Sequence, residues 1–143
     1  MKILVDADAC PVKEIVVRMA KRRNIPLVMV IDTSHELSAG YGEVITVDKG
    51  ADSADYAIAG LTSRGDIVVT QDYGLAAMIL AKGARAINQD GMIYTNDNID
   101  ALLTRRYVSQ KIRRAGGRTK GPKKRTKKDD NHFEHSFEGM LGG

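Results

Sequence analysis

A single cysteine, Cys10, stands in the 143 residues, so no internal disulfide can form, and no Cys and His residues have the spacing of a zinc site. Long hydrophobic runs are missing too. The N-terminal apolar stretch stops at Asp6, and Ile25 to Ile31 falls far short of the roughly 18 apolar residues that suggest a membrane span. Acidic residues vanish between Arg105 and Lys128, a stretch with 12 Lys and Arg and no Asp or Glu. These absences exclude a disulfide scaffold and a zinc ribbon, and they lead us to expect a cytoplasmic protein without a membrane segment. The length suits one domain with its own core.

What is present is unevenly distributed. Residues 1 to 104 hold 10 Lys/Arg against 14 Asp/Glu, and residues 129 to 143 hold four acids and no base. The formal charge of +4 therefore hides an acidic body carrying one concentrated basic segment.

The chain is organised around Lys2-Ile3-Leu4-Val5-Asp6-Ala7-Asp8-Ala9-Cys10-Pro11. A short apolar run ending on two acids and a proline predicts a buried strand, a tight loop and a helix. Val12, Ile15, Val16, Met19 and Ala20 give that helix one buried face, as far as Arg23. Further strands are expected at Leu27 to Ile31, about Val44 to Val47, Asp66 to Thr70 and Ala84 to Ile87, with a short edge strand at Met92 to Thr95. Between them the pattern predicts helices from Asp52 or Ser53 to Thr62 and from Leu75 to Lys82. A last long helix spans Asp97 to about Arg114, with Ile99, Leu102, Leu103 and Tyr107 inward. Strands alternating with helices through short links imply an α/β domain with a mostly parallel central sheet, over residues 1 to 115. Residues 116 to 143 lose apolar periodicity, which predicts a basic, flexible C-terminal tail, with at most a weak amphipathic turn or two through Phe133, Phe137 and Leu141.

The chemistry follows from where the acids fall. Asp6, Asp8, Asp52, Asp55 and Asp72 each follow a strand or open the next helix, positions that a parallel sheet gathers on its carboxyl edge. Clustered carboxylates raise one another's pKa, and a cation relieves the repulsion. An oxygen-only donor set selects Mg²⁺ or Mn²⁺. Such an ion polarises a phosphodiester and activates water. Helix capping competes with this reading for Asp52, Asp55 and Asp72, since Asp is a favoured N-cap. Asp6 lies too far ahead of Pro11 to cap that helix.

Several blocks together resemble a known family. Val5-Asp6-Ala7-Asp8-Ala9-Cys10-Pro11-Val12-Lys13, Gly50-Ala51-Asp52-Ser53-Ala54-Asp55, Asp66-Ile67-Val68-Val69-Thr70-Gln71-Asp72-Tyr73-Gly74-Leu75-Ala76 and Tyr94-Thr95-Asn96-Asp97-Asn98-Ile99 look like the YaiI/YqxD family of bacterial proteins, as does the Gly121-Pro122 tail. That family is regarded as related to PIN and NYN domains, whose metal-dependent members cut RNA. The resemblance thus implies a three-layer, PIN-like α/β domain. It places Asp6 at the first-strand aspartate, Asp52 or Asp55 at the acid opening the middle helix and Asp72 at the aspartate after the fourth strand, with Asp90 as an outer candidate. Asp8 departs from the usual PIN pattern, in which Asn, Ser or Thr is commoner. The expected site has Asp6, Asp8 and Asp72 in catalysis and Asp6, Asp52, Asp55 and Asp72 around a Mg²⁺ or Mn²⁺ ion.

The basic segment is expected to hold nucleic acid, RNA in the first place, through Arg105, Arg106, Lys111, Arg113 and Arg114 on the last helix and Arg118, Lys120, Lys123, Lys124 and Arg125 beyond it. Tyr41 and Tyr73 are placed beside the site as stacking candidates, and Ser34 and His35 in a nearby loop. Cys10 reads as a small buried hydrophobe. Two alternatives stay open. One is an RNA-binding, non-catalytic protein. The other is a phosphohydrolase resembling the haloacid dehalogenase superfamily, with Asp6 as nucleophile, Asp8 as general acid, Thr33 or Ser34 as the hydroxyl and Lys49 or Lys82 as the lysine.

Overall fold

A computed structural model describes residues 1–33, 40–50, 52–116 and 124–142. Five strands, β1 (Ile3–Asp6), β2 (Leu27–Asp32), β3 (Glu43–Val47), β4 (Ile67–Val69) and β5 (Arg85–Ile87), form one sheet in the order β3-β2-β1-β4-β5, with every neighbouring pair parallel. The helices among the described residues are α1 (Lys13–Arg23), α2 (Ser53–Leu61), α3 (Tyr73–Ala81), α4 (Asn96–Arg114) and α5 (Lys127–Met140). The three-layer α/β class expected from the sequence is the one the chain adopts.

Both faces of the sheet are covered, which is why its central strands are unbroken apolar runs. Side chains alternate between the faces. Ile3, Val5, Leu27, Met29, Ile31, Ile67, Val69 and Ile87 share a core with α1 and α5, while Leu4, Val28, Val30, Val68 and Ala86 share the other with α2, α3 and α4. Helix α1 buries Val16, Met19 and Ala20, and Asn24 ends it in the left-handed conformation with its amide on the Ala20 and Lys21 carbonyls.

The C-terminal segment is the main correction. Residues 127–140 are a helix with Phe133 and Phe137 fully buried and Met140 and Leu141 nearly so, rather than part of a flexible tail. Right-handed crossovers place α1 and α3 on opposite faces, so α1 covers only the β1–β2 half of its own face. Helix α5 fills the remaining half. Its two phenylalanine rings stack with centroids 5.2 Å apart. Arg18 pairs with Glu134 at 2.7 Å, Arg23 with Glu138, and Arg85 Nη1 donates to the Met140 carbonyl at 3.0 Å. At Gly91 (φ +91°) a Cβ would lie 2.8 Å from the His132 carbonyl, so the turn after β5 admits α5 only with glycine there.

Two smaller expectations also change. Met92 to Thr95 makes only an isolated antiparallel bridge, Ile87 to Ile93, instead of an edge strand. Tyr107 is 56% exposed and not inward, as are Val108 and Ile112 at 48% and 41%. Hydrophobic burial on α4 stops after Leu103, so its final turns project their basic and apolar residues outward. No helix among the described residues is long and apolar enough to cross a membrane.

Candidate active site at the carboxyl edge of the sheet

Strand β1 lies between β2 and β4, so the connections leaving it and arriving beside it diverge at its carboxyl end. This is the topological switch point, the usual ligand crevice of an open parallel sheet. Asp6 is the last residue of β1, Thr70 to Asp72 follow β4, and Asp52 and Asp55 open α2 after β3. Three strand-to-helix junctions therefore deliver carboxylates to one place.

Hydrogen bonds fix these groups. The Thr70 hydroxyl donates to Asp6 Oδ2 at 3.0 Å and accepts the Asp72 amide at 3.0 Å. Tyr94, buried, donates its phenol to the Thr70 carbonyl at 3.0 Å and so holds the end of β4 from below. Asp72 Oδ1 accepts the amides of Gly74 at 2.8 Å and Leu75 at 3.1 Å, making Asp72 the side-chain cap of α3 as well as a site residue. Asp52 occupies the capping position of α2 in a left-handed conformation, φ 66°, without a side-chain cap bond. Asp8 Oδ2 accepts the Asp32 amide at 3.1 Å, tying the β1 loop to the end of β2.

The electrostatics are those of crowded acids. Burial pushes the Asp6 carboxyl up, Asp72 and Asp8 push in the same direction, and the Thr70 hydrogen bond opposes them. Asp55 is pushed up to about 7, by burial first and then by the charge of Asp72, a hydrogen bond shared with Asp72, and the charges of Asp6 and Asp52. Two carboxylates share a hydrogen bond only when one carries a proton. Near neutrality, Asp55 thus holds a proton part of the time, one that a cation would displace.

Two shallow hollows open over this cluster. Asp6, Asp8, Gln71, Asp72, Tyr73 and Arg106 border one of about 350 Å³, and Asp52, Asp55, Tyr56, Asp72 and Arg106 are among the walls of the other, about 290 Å³. Asp72 and Arg106 border both. Arg106 Nη1 lies 3.7 Å from Asp72 Oδ1, which brings one cation of α4 to the acids.

The remaining candidates scatter. Arg105, Lys111, Arg113 and Arg114 are exposed along α4, with Lys111 Nζ 5.0 Å from the centre of the Tyr107 ring. Asp90 is apart from the acidic cluster, paired with Arg125 Nη1 at 2.6 Å. Arg125 also holds Asp130 and the Gln89 carbonyl, each at 2.7 Å, so it braces the start of α5 instead of lying open for nucleic acid. Arg118, Lys120, Lys123, Ser34 and His35 lie outside the described residues. Tyr41 is displaced from the site: its hydroxyl donates to the Ile25 carbonyl at 2.7 Å, at the amino edge of the sheet. Tyr73 does border the acidic hollow and meets Tyr94 edge to face, with centroids 6.2 Å apart. Lys82 donates to the Ala59 carbonyl at the far end of α3, which removes it as a dehalogenase-type lysine. Cys10 is buried, and burial pushes its thiol up, away from the thiolate a nucleophile needs. Sequence reasoning missed Thr70, Gln71 and Tyr94 as site residues. The one available signal was the polar Thr70-Gln71 pair between an apolar strand and an acid.

The donor set suits a hard divalent cation, being all oxygen and mutually repelling. Among the described residues no three His, Cys, Asp or Glu side chains are already drawn together tightly enough to enclose a bare ion.

The sequence comparisons place the chain in one family. Residues 4–142 match the family model described as Uncharacterized BCR, YaiI/YqxD family. The chain is 60% identical over 137 residues to a UPF0178 protein of Ruminiclostridium cellulolyticum, covering 96% of this chain and 90% of that one. It is 51% identical over 141 residues to a UPF0178 protein of Exiguobacterium sibiricum, covering 99% and 96%. Among solved structures it is similar to Rae1 (YacP) from Bacillus subtilis, at 19% identity over 80% of each chain and a TM-score of 0.47.

Proposed function

This chain belongs to the YaiI/YqxD family, and we propose that it is a divalent-metal-dependent nuclease that hydrolyses phosphodiester bonds in RNA. The observation that carries this reading is the convergence of Asp6, Asp55 and Asp72 at the switch point, where burial first and then the neighbouring acids push the Asp55 carboxyl up to about 7. A protein holding acids in this state gains most from a cation placed among them.

Asp6 and Asp72 would hold Mg²⁺ or Mn²⁺, and Asp8, Asp52 and Asp55 would complete or tune the site. When bound, the ion supplies Lewis-acid polarisation of the phosphodiester and a nucleophilic water. The chain's own residues do the positioning. Thr70 holds Asp6 Oδ2, the α3 cap holds Asp72 Oδ1, and Tyr94 fixes the end of β4 from which Thr70 and Asp72 follow. Arg106 stands beside Asp72, where its guanidinium would meet a phosphate oxygen of the substrate. The outward basic turns of α4 would carry the flanking backbone, giving an affinity that falls steeply with salt.

Calorimetric titration of Mg²⁺ and Mn²⁺ into wild type, Asp6→Asn and Asp72→Asn, with cleavage of a labelled single-stranded RNA on the same samples, tests the reading. Loss of binding and of cleavage together in both variants is the expected result. No divalent binding by wild type at millimolar concentration would refute it. One observation would then favour a non-catalytic RNA-binding protein: Arg106 already supplies Asp72 with a cation.

A further inference from the structure

We infer that a second cleft beside the acidic hollow is the seat of an unstacked nucleobase, belonging to the nucleoside next to the cleaved phosphate; its place in the reaction rests on the nuclease reading. The cleft has a volume of about 640 Å³, and its walls include Ala9, Pro11, Gln71, Gln89, Lys124 and Thr126. That size is within the range of small-molecule pockets. Four segments build it: the β1–α1 turn, where Ala9 is held at φ 57°, the residue after Thr70, the turn after β5 and the approach to α5.

Gln71 joins the cleft to the acidic site. It borders both hollows, and its Nε2 donates to the Ala9 carbonyl at 2.9 Å, so the wall between them is a fixed amide. A group seated in the cleft is therefore one side chain away from the hollow that holds Asp6, Asp8 and Asp72.

The chemistry of the lining selects a heterocycle over a bare anion. Gln89 Oε1 is buried without a hydrogen-bond partner among the described residues, an acceptor that calls for a donor. The Gln89 backbone is fixed, because Arg125 Nη2 donates to its carbonyl at 2.7 Å. The amino end of α5 offers no anion site. Thr126 and Asp129 cap it reciprocally, and Asp129 and Asp130 occupy its first turn, so the helix dipole is already answered by carboxylates. Asp90 and Arg125 on the rim neutralise each other as an ion pair, and what remains is an apolar wall from Ala9 and Pro11, two amides and one ammonium, Lys124. A base offers flat apolar faces and an edge of N–H groups to match them, with Lys124 left for its phosphate. A base can enter only when splayed from a stack, so the substrate is single-stranded.

The test uses the full chain in EDTA, with the four ribonucleoside 5′-monophosphates and inorganic phosphate as separate probes, followed by amide chemical shifts. At least one nucleotide is expected to move the Gln71 and Gln89 side-chain signals while phosphate alone does not. Gln89→Leu should raise its Kd about tenfold, and Lys124→Ala, an exposed change that leaves packing intact, about threefold. The inference is overturned if phosphate reproduces the shifts, if nucleotides perturb only residues 105–114, or if both variants bind as wild type does. Cleft binding without cleavage in Mn²⁺ would remove the nuclease reading and keep the base seat. Cleavage of single-stranded RNA with an unchanged KM in both variants would remove the base seat and keep the nuclease.

Discussion

The Thr70 hydroxyl donates to Asp6 Oδ2 across 3.0 Å, linking the ends of two adjacent parallel strands inside the acidic site. Thr70 is itself buried, while Asp6 is partly exposed beside the hollow. Thr70→Val keeps the shape and leaves Asp6 without its donor. It should cost about 1–3 kcal/mol in urea unfolding, with Thr70→Ser recovering most of the loss. Equal stability of Val and wild type would show that the hydroxyl is not what holds Asp6.

Asp72 caps α3, and under the proposed function it also holds the metal, two roles that substitution can separate. Asn caps a helix about as well as Asp, whereas Ala does not. Asp72→Asn should therefore leave the melting temperature nearly unchanged while weakening Mn²⁺ binding at least tenfold, to the order of what loss of one charged ligand costs. Asp72→Ala should lose the same affinity and about 1 kcal/mol of stability as well. A stable Asn variant with intact Mn²⁺ affinity would leave Asp72 a cap and nothing more.

Asp55 makes the metal-free protein sensitive to pH. Its folded pKa, about 7, exceeds the ordinary 3.8, so the folded state binds the proton more tightly than the unfolded chain. The associated stability is full at low pH and is lost as pH rises from about 4 to about 8. Because Asp55 is partly exposed, solvent screening reduces the effect well below the full conversion of that shift. Thermal melts in EDTA should fall across this window in wild type, less in Asp55→Asn, and saturating Mn²⁺ should flatten the wild-type profile. A wild-type melting temperature that rises with pH over the same window, by more than in Asp55→Asn, would contradict the assignment.

Helix α5 is a structural member of the domain. Phe137 is fully buried against Phe133 and the α1 face of the sheet, so Phe137→Ala should lower unfolding free energy by about 3–5 kcal/mol. Truncation after Thr126 should expose the β4–β5 half of that face and give an aggregating or molten chain. A truncated protein with wild-type urea midpoint would mean that α5 is dispensable.

Under the proposed function, Arg106 competes with the metal for Asp72. Removing it as Arg106→Gln should tighten Mn²⁺ binding severalfold and weaken single-stranded RNA binding, with a shallower dependence on salt. Unchanged affinity for both would place Arg106 outside the site's electrostatics.

The sequence by itself determined the α/β class and the strand positions, because buried parallel strands must be short apolar runs and Ile3-Leu4-Val5, Leu27 to Ile31 and Ile67-Val68-Val69 have no other use. It also determined that Asp6, Asp55 and Asp72 lie at strand ends or helix starts, since those positions are local. Only the tertiary structure decided which of them meet. The order β3-β2-β1-β4-β5 puts β1 beside β4, and that adjacency, set by crossovers far apart in sequence, joins Asp6 to Thr70 and Asp72. The fate of α5 was likewise illegible: two phenylalanines in a polar stretch signal a weak amphipathic turn until half a sheet face stands open to receive them. Tyr107 shows the converse, since a helical period predicts a face, and only the extent of the body underneath determines how far along the helix that face is buried.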